Sequence, residues 1–238
     1  SNIAAAIART GKRVGIVDTD IQSPGIHVIF DLGENRITHS LNDYLWGRCS
    51  IEETAHDVTP PAVAERGGVI FLIPSSIKTG EIARILREGY DVGMLNDGFQ
   101  ELASRLGLDY LMIDTHPGLN EETLLSVAIS DVLVIILRPD RQDYQGTAVA
   151  VEVARNLDVP NLFLLVNKAL PSVDPASLGE KVQAAYGAPV VGVFPHSDLM
   201  LELASGGVYC LEHPGDPFSG EIERVARALM AVTEGRPV

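Results

Sequence analysis

The sequence predicts an α/β fold in which a doubly wound, mostly parallel sheet is flanked by helices as a three-layer sandwich. Six short runs rich in Val, Ile and Leu show no alternation of polar and apolar residues, which is typical of strands buried on both faces. Segments with helical periodicity separate these runs, as expected of a doubly wound domain. Polar residues directly follow several runs, where the strands of such a sheet carry their ligand sites.

The predicted strands and helices alternate along the whole chain. The strands are residues 14–17, 69–73, 110–113, 132–137, 162–166 and 190–194. The helices are residues 2–9, 93–106, 121–129, 144–157, 178–186, 198–204 and 221–233. Residues 59–68, with the sequence TPPAVAERGG, predict a loop and not a domain boundary. Residues 1–238 are therefore predicted to form a single domain.

The composition is that of an acidic globular protein. Of the 238 residues, 46% are hydrophobic and 21% are charged, which allows one sizeable core and argues against disorder. The net charge of −14 repels phosphate backbones and disfavours nonspecific DNA binding, although a local basic patch remains compatible with it. Cys49 and Cys210 have no CxxC or metal-ligand spacing. No apolar run reaches the ~18 residues of a membrane helix, and no signal peptide is visible, so we expect a cytoplasmic protein.

Four polar clusters come directly after predicted strands. They are Asp18-Thr19-Asp20, Asp114-Thr115-His116-Pro117-Gly118, Asn167-Lys168 and Pro195-His196-Ser197-Asp198. Because parallel strands end at one edge of a sheet, we expect these clusters to converge there. Carboxylates gathered in this way are costly unless a cation compensates them, and Mg²⁺ bound to phosphates is the usual compensation.

The clusters lie in segments that resemble the ParA/MinD family of P-loop ATPases. GKRVGIVDTDIQSPG resembles the first switch of the family, LDYLMIDTHPG its Walker B strand and second switch, and LLVNKA its adenine-site strand. VFPHSDLMLELASGGVYCLEHP resembles the segment that closes over the base. Together these segments cover essentially the whole chain in the order of the family. The resemblance implies a P-loop NTPase-like sandwich that binds and hydrolyses ATP to ADP with Mg²⁺.

The resemblance also implies roles for the first two clusters. Asp20 would orient or deprotonate the attacking water, Asp114 would hold a magnesium-bound water near the γ-phosphate, and Asp18 would lie on the magnesium side. The competing interpretation is that each of the three carboxylates only caps a turn or the start of a helix.

The second switch would contain Thr115, Pro117 and Gly118, where a backbone amide senses the γ-phosphate. His116 replaces a proline of the family pattern DTPPG. Its ring either tunes the pH response of the switch or is an exposed bystander.

The last two clusters are assigned to the nucleotide base. Asn167 would read the adenine edge with its amide, or else cap the strand as a loop residue. Lys168 would face solvent or stack near the base. Pro195 and the backbone of Phe194 and Ser197 would clasp the adenine.

Three further polar residues have structural or interface interpretations. Asp198 is predicted to be the N-cap of the helix that follows it. Arg138 and Arg141 lie in the loop RPDRQD, which in the family is near the dimer face. They would either touch a partner's phosphate or belong to a solvated run of charges.

One family motif does not occur in the 238 residues, the phosphate-binding loop KGGxGK[ST]. Residues 2–5, NIAA, match the family's helix that follows this loop. We therefore expect the first strand and the P-loop upstream of Ser1, so that the single domain lacks its N-terminal strand and the fragment alone is inactive.

The expected function is an ATP-dependent homodimeric switch with slow, partner-stimulated hydrolysis, used in positioning, partitioning or regulation of a protein partner. The acidic charge disfavours a DNA-binding ParA protein, and residues 235–238 show no membrane tail of the MinD type. We therefore expect a MinD-like regulator with a protein partner. The alternative is a non-catalytic dimerising scaffold of the same fold. A metal-cluster carrier of the superfamily would need paired cysteines, and Cys49 and Cys210 do not provide them.

Overall fold

The computed structural model of the chain describes residues 1–233 and 235, Leu86 by its backbone only. The strands are β1 (Arg13–Asp18), β2 (His56–Asp57), β3 (Val69–Ile73), β4 (Tyr110–Asp114), β5 (Val132–Leu137), β6 (Asn161–Ala169) and β7 (Val190–Pro195). The longer helices are α1 (Asn2–Ala8), α5 (Thr79–Glu88), α6 (Gly93–Leu106), α7 (Glu121–Ile129), α8 (Arg141–Asn156), α9 (Pro175–Tyr186), α10 (Asp198–Leu203) and α12 (Pro217–Thr233). The short helices are α2 (Ile26–Ile29), α3 (Leu41–Leu45), α4 (Pro61–Ala64) and α11 (Tyr209–Glu212).

All six predicted strands and all seven predicted helices are present. The sequence interpretation missed the two-residue strand β2, the helix α5 and the short helices. The predicted loop 59–68 is wrong in part, because it contains α4, whose first residue is a proline that suits the N1 position of a helix. Residues 236–238, at the end of the predicted single domain, lie outside the described residues. They include most of the tail that the sequence analysis considered for membrane binding.

The chain forms two compact units. The first contains residues 1–126 and 205–212, and the second contains residues 127–204 and the described residues from 213 onward. The first unit has a four-stranded sheet in the order β2-β3-β1-β4, in which only β2 is antiparallel to its neighbour. The second has a three-stranded parallel sheet in the order β5-β6-β7. The mostly parallel α/β fold is therefore confirmed, with its strands divided between two sheets.

The first sheet packs against helices through the apolar residues of its longer strands. Val17 of β1 and Ile73 of β3 pack with Leu95, Phe99 and Leu102 of α6 in one core cluster. The alanine-rich helix α1 contacts β1 and β3. This approach is so close that a Cβ atom on Gly68 would lie 1.9 Å from the carbonyl oxygen of Ala8, so only glycine fits there.

The second sheet has its own core and a protected edge. Leu164 and Val166 of β6 pack with Val151 of α8 and Val182 of α9. At the outer edge, Arg224 Nη2 of α12 donates to the carbonyl oxygen of Val191 at 2.7 Å. The backbone amide of Val190 donates to Gln183 Oε1 of α9 at 3.3 Å. These two side chains thus form hydrogen bonds with backbone groups of β7 that could otherwise pair with another strand.

The helices described for residues 1–233 include none with both the length and the apolar character needed to span a bilayer.

Candidate functional site

Two of the predicted carboxylates lie side by side in the first unit. Asp18 ends β1 and Asp114 ends β4, and these two residues are paired in the parallel register of the strands. The unbroken apolar runs before them hold both strands in the core, so the first polar residue of each emerges at the carboxyl edge of the sheet. The predicted convergence of these two strand ends is confirmed.

Asp18 organises the loop that follows β1. Its side chain is buried, with only 1% of its surface exposed. Oδ2 accepts hydrogen bonds from the backbone amides of Gly25 at 3.1 Å and Ile26 at 3.2 Å, and Oδ1 accepts one from Asp20 at 3.2 Å. Burial raises the pKa of Asp18 to about 6, although the three amide donors oppose this shift. The carboxylate therefore folds residues 19–25, which we call the first switch loop, back onto the strand end.

Asp114 has a different environment. Its side chain is exposed, and none of the described residues donates a hydrogen bond to its carboxylate. Partial desolvation by the surrounding protein raises the pKa of Asp114, and the negative charge of Asp20 adds to this, whereas the positive charge of the Ser1 ammonium opposes it. A carboxylate beside a second one, without a hydrogen-bond donor among the described residues, is suited to a cation.

The carboxylate pair fits Mg²⁺ better than it fits a metal ion whose ligands must all be protein side chains. Residues 1–233 contain no group of three or more His, Cys, Asp or Glu side chains placed to hold an ion. Mg²⁺ needs only one or two carboxylates, because water and substrate phosphates fill its other positions. Asp114 could serve in this way directly, whereas Asp18 already accepts three amide hydrogen bonds.

The first switch loop is also tied to β4. Thr19 donates to the carbonyl oxygen of Asp114 from its backbone amide at 3.0 Å and from Oγ1 at 2.7 Å. Ser75, which follows β3, donates from Oγ to the carbonyl oxygen of Asp18 at 2.7 Å. Asp20 Oδ1 accepts from the amide of Ser23 at 3.0 Å. The loop thus connects three neighbouring strand ends.

The second switch loop, residues 115–120, lies next to the first. His116 Nε2 is 4.0 Å from Asp20 Oδ1, and its Nδ1 is 2.6 Å from the carbonyl oxygen of Pro117. Gly118 has φ +118°, a backbone conformation that side chains disfavour. Asn120 Oδ1 accepts from the amide of Thr123 at 2.8 Å and caps α7. His116 therefore lies within reach of the predicted catalytic carboxylate.

The residues predicted to read the base lie in the second unit. Asn167 and Lys168 form an irregularity in β6, between the paired residues Val166 and Ala169, and Ala169 pairs with Pro195. Asn167 Oδ1 accepts from the amide of Lys168 at 2.9 Å. Lys168 is exposed and has φ +56°. Asn167, Lys168 and Pro195 are thereby brought together, whereas the recognition of adenine by them and by Phe194 and Ser197 stays a prediction.

The capping prediction for α10 is wrong. Ser197, not Asp198, is the N-cap residue, and its Oγ accepts from the amide of Met200 at 3.2 Å. Asp198 is the first helical residue. Both residue types favour the N-cap position, so local sequence does not decide between neighbours.

Arg138 is held within its own loop. Its guanidinium donates to both carboxylate oxygens of Asp143, at 3.0 and 3.1 Å. Asp140 in turn accepts from the amides of Gln142 and Asp143 and caps α8. The contacts described for Arg138 are those of a local charge cluster.

Sequence reasoning missed two residues that shape the site. Ser75 follows β3 in the sequence IPSS, which is the same strand-end signal that identified Asp18. Asn120 precedes Glu121 and Glu122, a pattern typical of a helix N-terminus. Both could have been found by applying the strand-end and capping rules at every element boundary.

Comparisons with known proteins agree with this geometry. Residues 1–160 match the family model AAA_31, described as an AAA domain. The chain is 24% identical over 237 residues to the septum site-determining protein MinD of Bacillus subtilis, covering 97% of this chain and 82% of that protein.

Two solved structures share its fold. MinD of Pyrococcus horikoshii in complex with Mg-ADP matches with a TM-score of 0.81 at 16% identity, covering 98% of this chain and 89% of that one. The MinC:MinD complex of Aquifex aeolicus matches with a TM-score of 0.77 at 21% identity, covering 100% and 89%. The chain belongs to the AAA_31 family and is a member of the ParA/MinD-like P-loop ATPases.

Proposed function

We propose that the protein is a nucleotide switch that binds and hydrolyses ATP and forms a dimer in its ATP-bound state. The observation that carries this proposal is the pairing of Asp18 and Asp114 at adjacent strand ends, each continued by a loop. The two loops approach each other at His116 and Asp20. Two loops that respond together to a γ-phosphate must lie close to each other, as these two loops do at His116 and Asp20.

In this proposal the first unit handles the phosphates and Mg²⁺. Asp114 would hold Mg²⁺ through water, and Asp18 fixes the first switch loop through its amide hydrogen bonds. When bound, Mg²⁺ would neutralise the charge that develops on the transferred phosphoryl group. Thr115, Pro117 and Gly118 supply the backbone that senses the γ-phosphate, and Gly118 has φ +118°, a conformation that side chains disfavour.

Asp20 orients the attacking water or accepts its proton. Phosphoryl transfer depends mostly on positioning and charge compensation, so turnover is slow and a protein partner can improve it. The net charge of −14 favours a protein partner over DNA, and the MinC:MinD complex is a precedent for such a partner.

The second unit would recognise the base. Asn167 and Lys168 would read and cover the adenine, which Phe194, Pro195 and Ser197 would clasp. The support for this is the irregularity that places Asn167 and Lys168 opposite Phe194, next to the pair of Ala169 and Pro195. We propose no wider role for these residues.

A phosphate-binding loop completes the proposal. Among the described residues, β4 pairs with β1 alone, and its side chains before Asp114 are only half-buried. In the second unit β5 pairs with β6 alone, and Ile136 is 62% exposed. Apolar parallel strands with a free side suit a further strand. We propose that a strand leading into a KGGxGK[ST] loop, upstream of Ser1, pairs with β4 in the first unit, which the upstream coding sequence will test.

The function is tested by two variants of Asp20 in the full-length protein. We expect Asp20→Ala and the isosteric Asp20→Asn to bind ATP as the wild type does, and to lose roughly 100-fold or more in turnover. Equilibrium binding and single-turnover hydrolysis measure the two quantities. Glu34→Ala, which removes an exposed carboxylate, is the control. Unchanged turnover in both Asp20 variants would remove Asp20 from the mechanism.

One observation favours a second candidate function, a non-catalytic dimerising scaffold. Asp18 has its hydrogen bonds satisfied by backbone amides without any cation, and such a carboxylate can serve the fold alone. A full-length protein without measurable ATP affinity would support the scaffold and exclude the switch.

A further inference from the structure

The peptide unit between Asp18 and Thr19 is held from both sides within the first sheet. On one side, the carbonyl oxygen of Asp18 accepts a hydrogen bond from Ser75 Oγ, which follows β3, at 2.7 Å. On the other side, the amide of Thr19 donates to the carbonyl oxygen of Asp114 in β4 at 3.0 Å. Both groups belong to one planar peptide bond. This peptide therefore turns only if both hydrogen bonds break.

Ser75 supplies a donor at the point where the backbone of β3 stops pairing with β1. The two strands are paired in parallel register up to Val17 and Ile73. The residue after Ile73 is Pro74, which has no N–H group to donate. Its carbonyl oxygen accepts from the amide of Leu41 in α3 at 2.8 Å. The Ser75 hydroxyl thus extends the connection between the two strands by one side-chain hydrogen bond.

The segment that carries Ser75 is itself anchored. Ser75 has no exposed surface, so water does not compete with its hydroxyl for the carbonyl oxygen. The amide of the next residue, Ser76, donates to Oδ1 of the buried Asn42 in α3 at 2.8 Å. Ser76 Oγ donates to Glu81 Oε2 in α5 at 2.6 Å. Ser75 is therefore a fixed donor, and the peptide that it contacts is the mobile partner.

We propose that Ser75 is a positioning residue for ATP hydrolysis, which fixes the placement of Asp20 through the peptide between Asp18 and Thr19. Asp20 follows this peptide directly, so a rotation of the peptide moves its carboxylate away from the attacking water. Misplacement of a reacting group by about 1 Å can cost roughly 100-fold in rate. The inference rests on the proposed function, because it assumes that Asp20 acts on this water.

The role predicts an effect on the rate of hydrolysis and not on the affinity for ATP. Ser75 is fully buried and its hydroxyl is already engaged with the carbonyl oxygen of Asp18, so it does not itself contact a nucleotide. It also holds the start of the first switch loop, whereas the Asp18 carboxylate holds the end of this loop through the amides of Gly25 and Ile26. Loss of the Ser75 hydroxyl would therefore loosen the position of Asp20 and leave the rest of the loop attached.

Single-turnover hydrolysis and equilibrium ATP binding by the full-length protein test this role. We expect Ser75→Ala to hydrolyse ATP roughly tenfold more slowly, the equivalent of one lost hydrogen bond, with a Kd for ATP within about twofold of the wild type. Ser76→Ala is the matched control and should keep the wild-type rate, because it removes a buried hydroxyl whose contacts are with Lys78 and Glu81. In an Asp20→Asn background, Ser75→Ala should cause no further loss, since Ser75 acts through Asp20.

Amide hydrogen exchange without nucleotide provides a second readout. In Ser75→Ala one side of the peptide is released, so we expect the Thr19 amide to exchange roughly tenfold faster relative to the amide of Ile16 in the middle of β1. In Ser76→Ala the ratio of these two exchange rates should remain that of the wild type. A general loss of stability would accelerate both amides together and leave the ratio unchanged.

The outcomes distinguish this role from the proposed function. A wild-type rate in Ser75→Ala, together with lost turnover in Asp20→Asn, overturns the role of Ser75 and leaves the proposed function intact. Equal losses of rate in Ser75→Ala and Ser76→Ala, an unchanged ratio of exchange rates, or a further loss in the Asp20→Asn background also overturns it. A full-length wild type that does not hydrolyse ATP overturns both proposals.

Discussion

At the scale of single residues, Asp18 and Asp114 show how neighbouring carboxylates acquire different tasks. Asp18 is buried and accepts three backbone hydrogen bonds, whereas Asp114 is exposed and accepts none from the described residues. The sequence pattern identified both residues because each follows an apolar strand. It could not distinguish them, since the amides of Gly25 and Ile26 reach Asp18 only when the loop folds back.

The burial of Asp18 predicts a pH dependence of stability. Its folded-state pKa of about 6 is above the usual 3.8, so the folded state binds the proton more tightly than the unfolded state does. The contribution of Asp18 is therefore fully present below pH ~4 and is lost as the pH rises through ~6. The loss is roughly 3 kcal/mol at most, the value of about two pKa units.

Urea unfolding between pH 4 and pH 7.5 measures this effect. Relative to Asp18→Asn, which cannot titrate, the wild type should lose free energy of unfolding as the pH rises to neutrality. A difference between the two proteins that stays constant over this range would show that Asp18 is not responsible.

At the scale of elements, burial decided which predictions succeeded. The six apolar strands were identifiable because each is a short, continuous apolar run. Helix α5 was missed because four of the ten residues in TGEIARILRE are charged and because glycines lie near both of its ends, where they mark loops as readily as helix ends. Strand β2 has only two residues, too few for any periodicity. The close contact of α1 with β3 forms only in the tertiary structure. Its only sign in the local sequence is a glycine.

That contact gives an element-scale prediction. Gly68→Ala would place a methyl group against the backbone carbonyl of Ala8, which cannot move without shifting α1. We expect a loss of about 3 kcal/mol in the free energy of unfolding. Gly33→Ala is the control, because no atom lies within 4 Å of the added Cβ and its φ is −63°. Denaturant titration that finds equal stabilities for the two variants would contradict the described packing.

At the scale of the whole molecule, the sequence motifs identified the family from their order along the chain. The motifs could not show how the strands divide, because pairing depends on hydrogen bonds between distant segments. Asp18, Asp20 and Asp114 belong to one unit, and Asn167 and Pro195 belong to the other. The proposal assigns the phosphates to the first unit and the base to the second.

The oligomeric mass of the full-length protein tests this switch most directly. Sedimentation equilibrium would compare the protein without nucleotide, with Mg-ADP and with Mg-ATP, using Asp20→Ala to prevent hydrolysis during the run. The switch predicts a dimer with Mg-ATP and a monomer in the other two conditions, because only the γ-phosphate orders both loops. One mass that is the same in all three conditions, whether monomer or dimer, would contradict it.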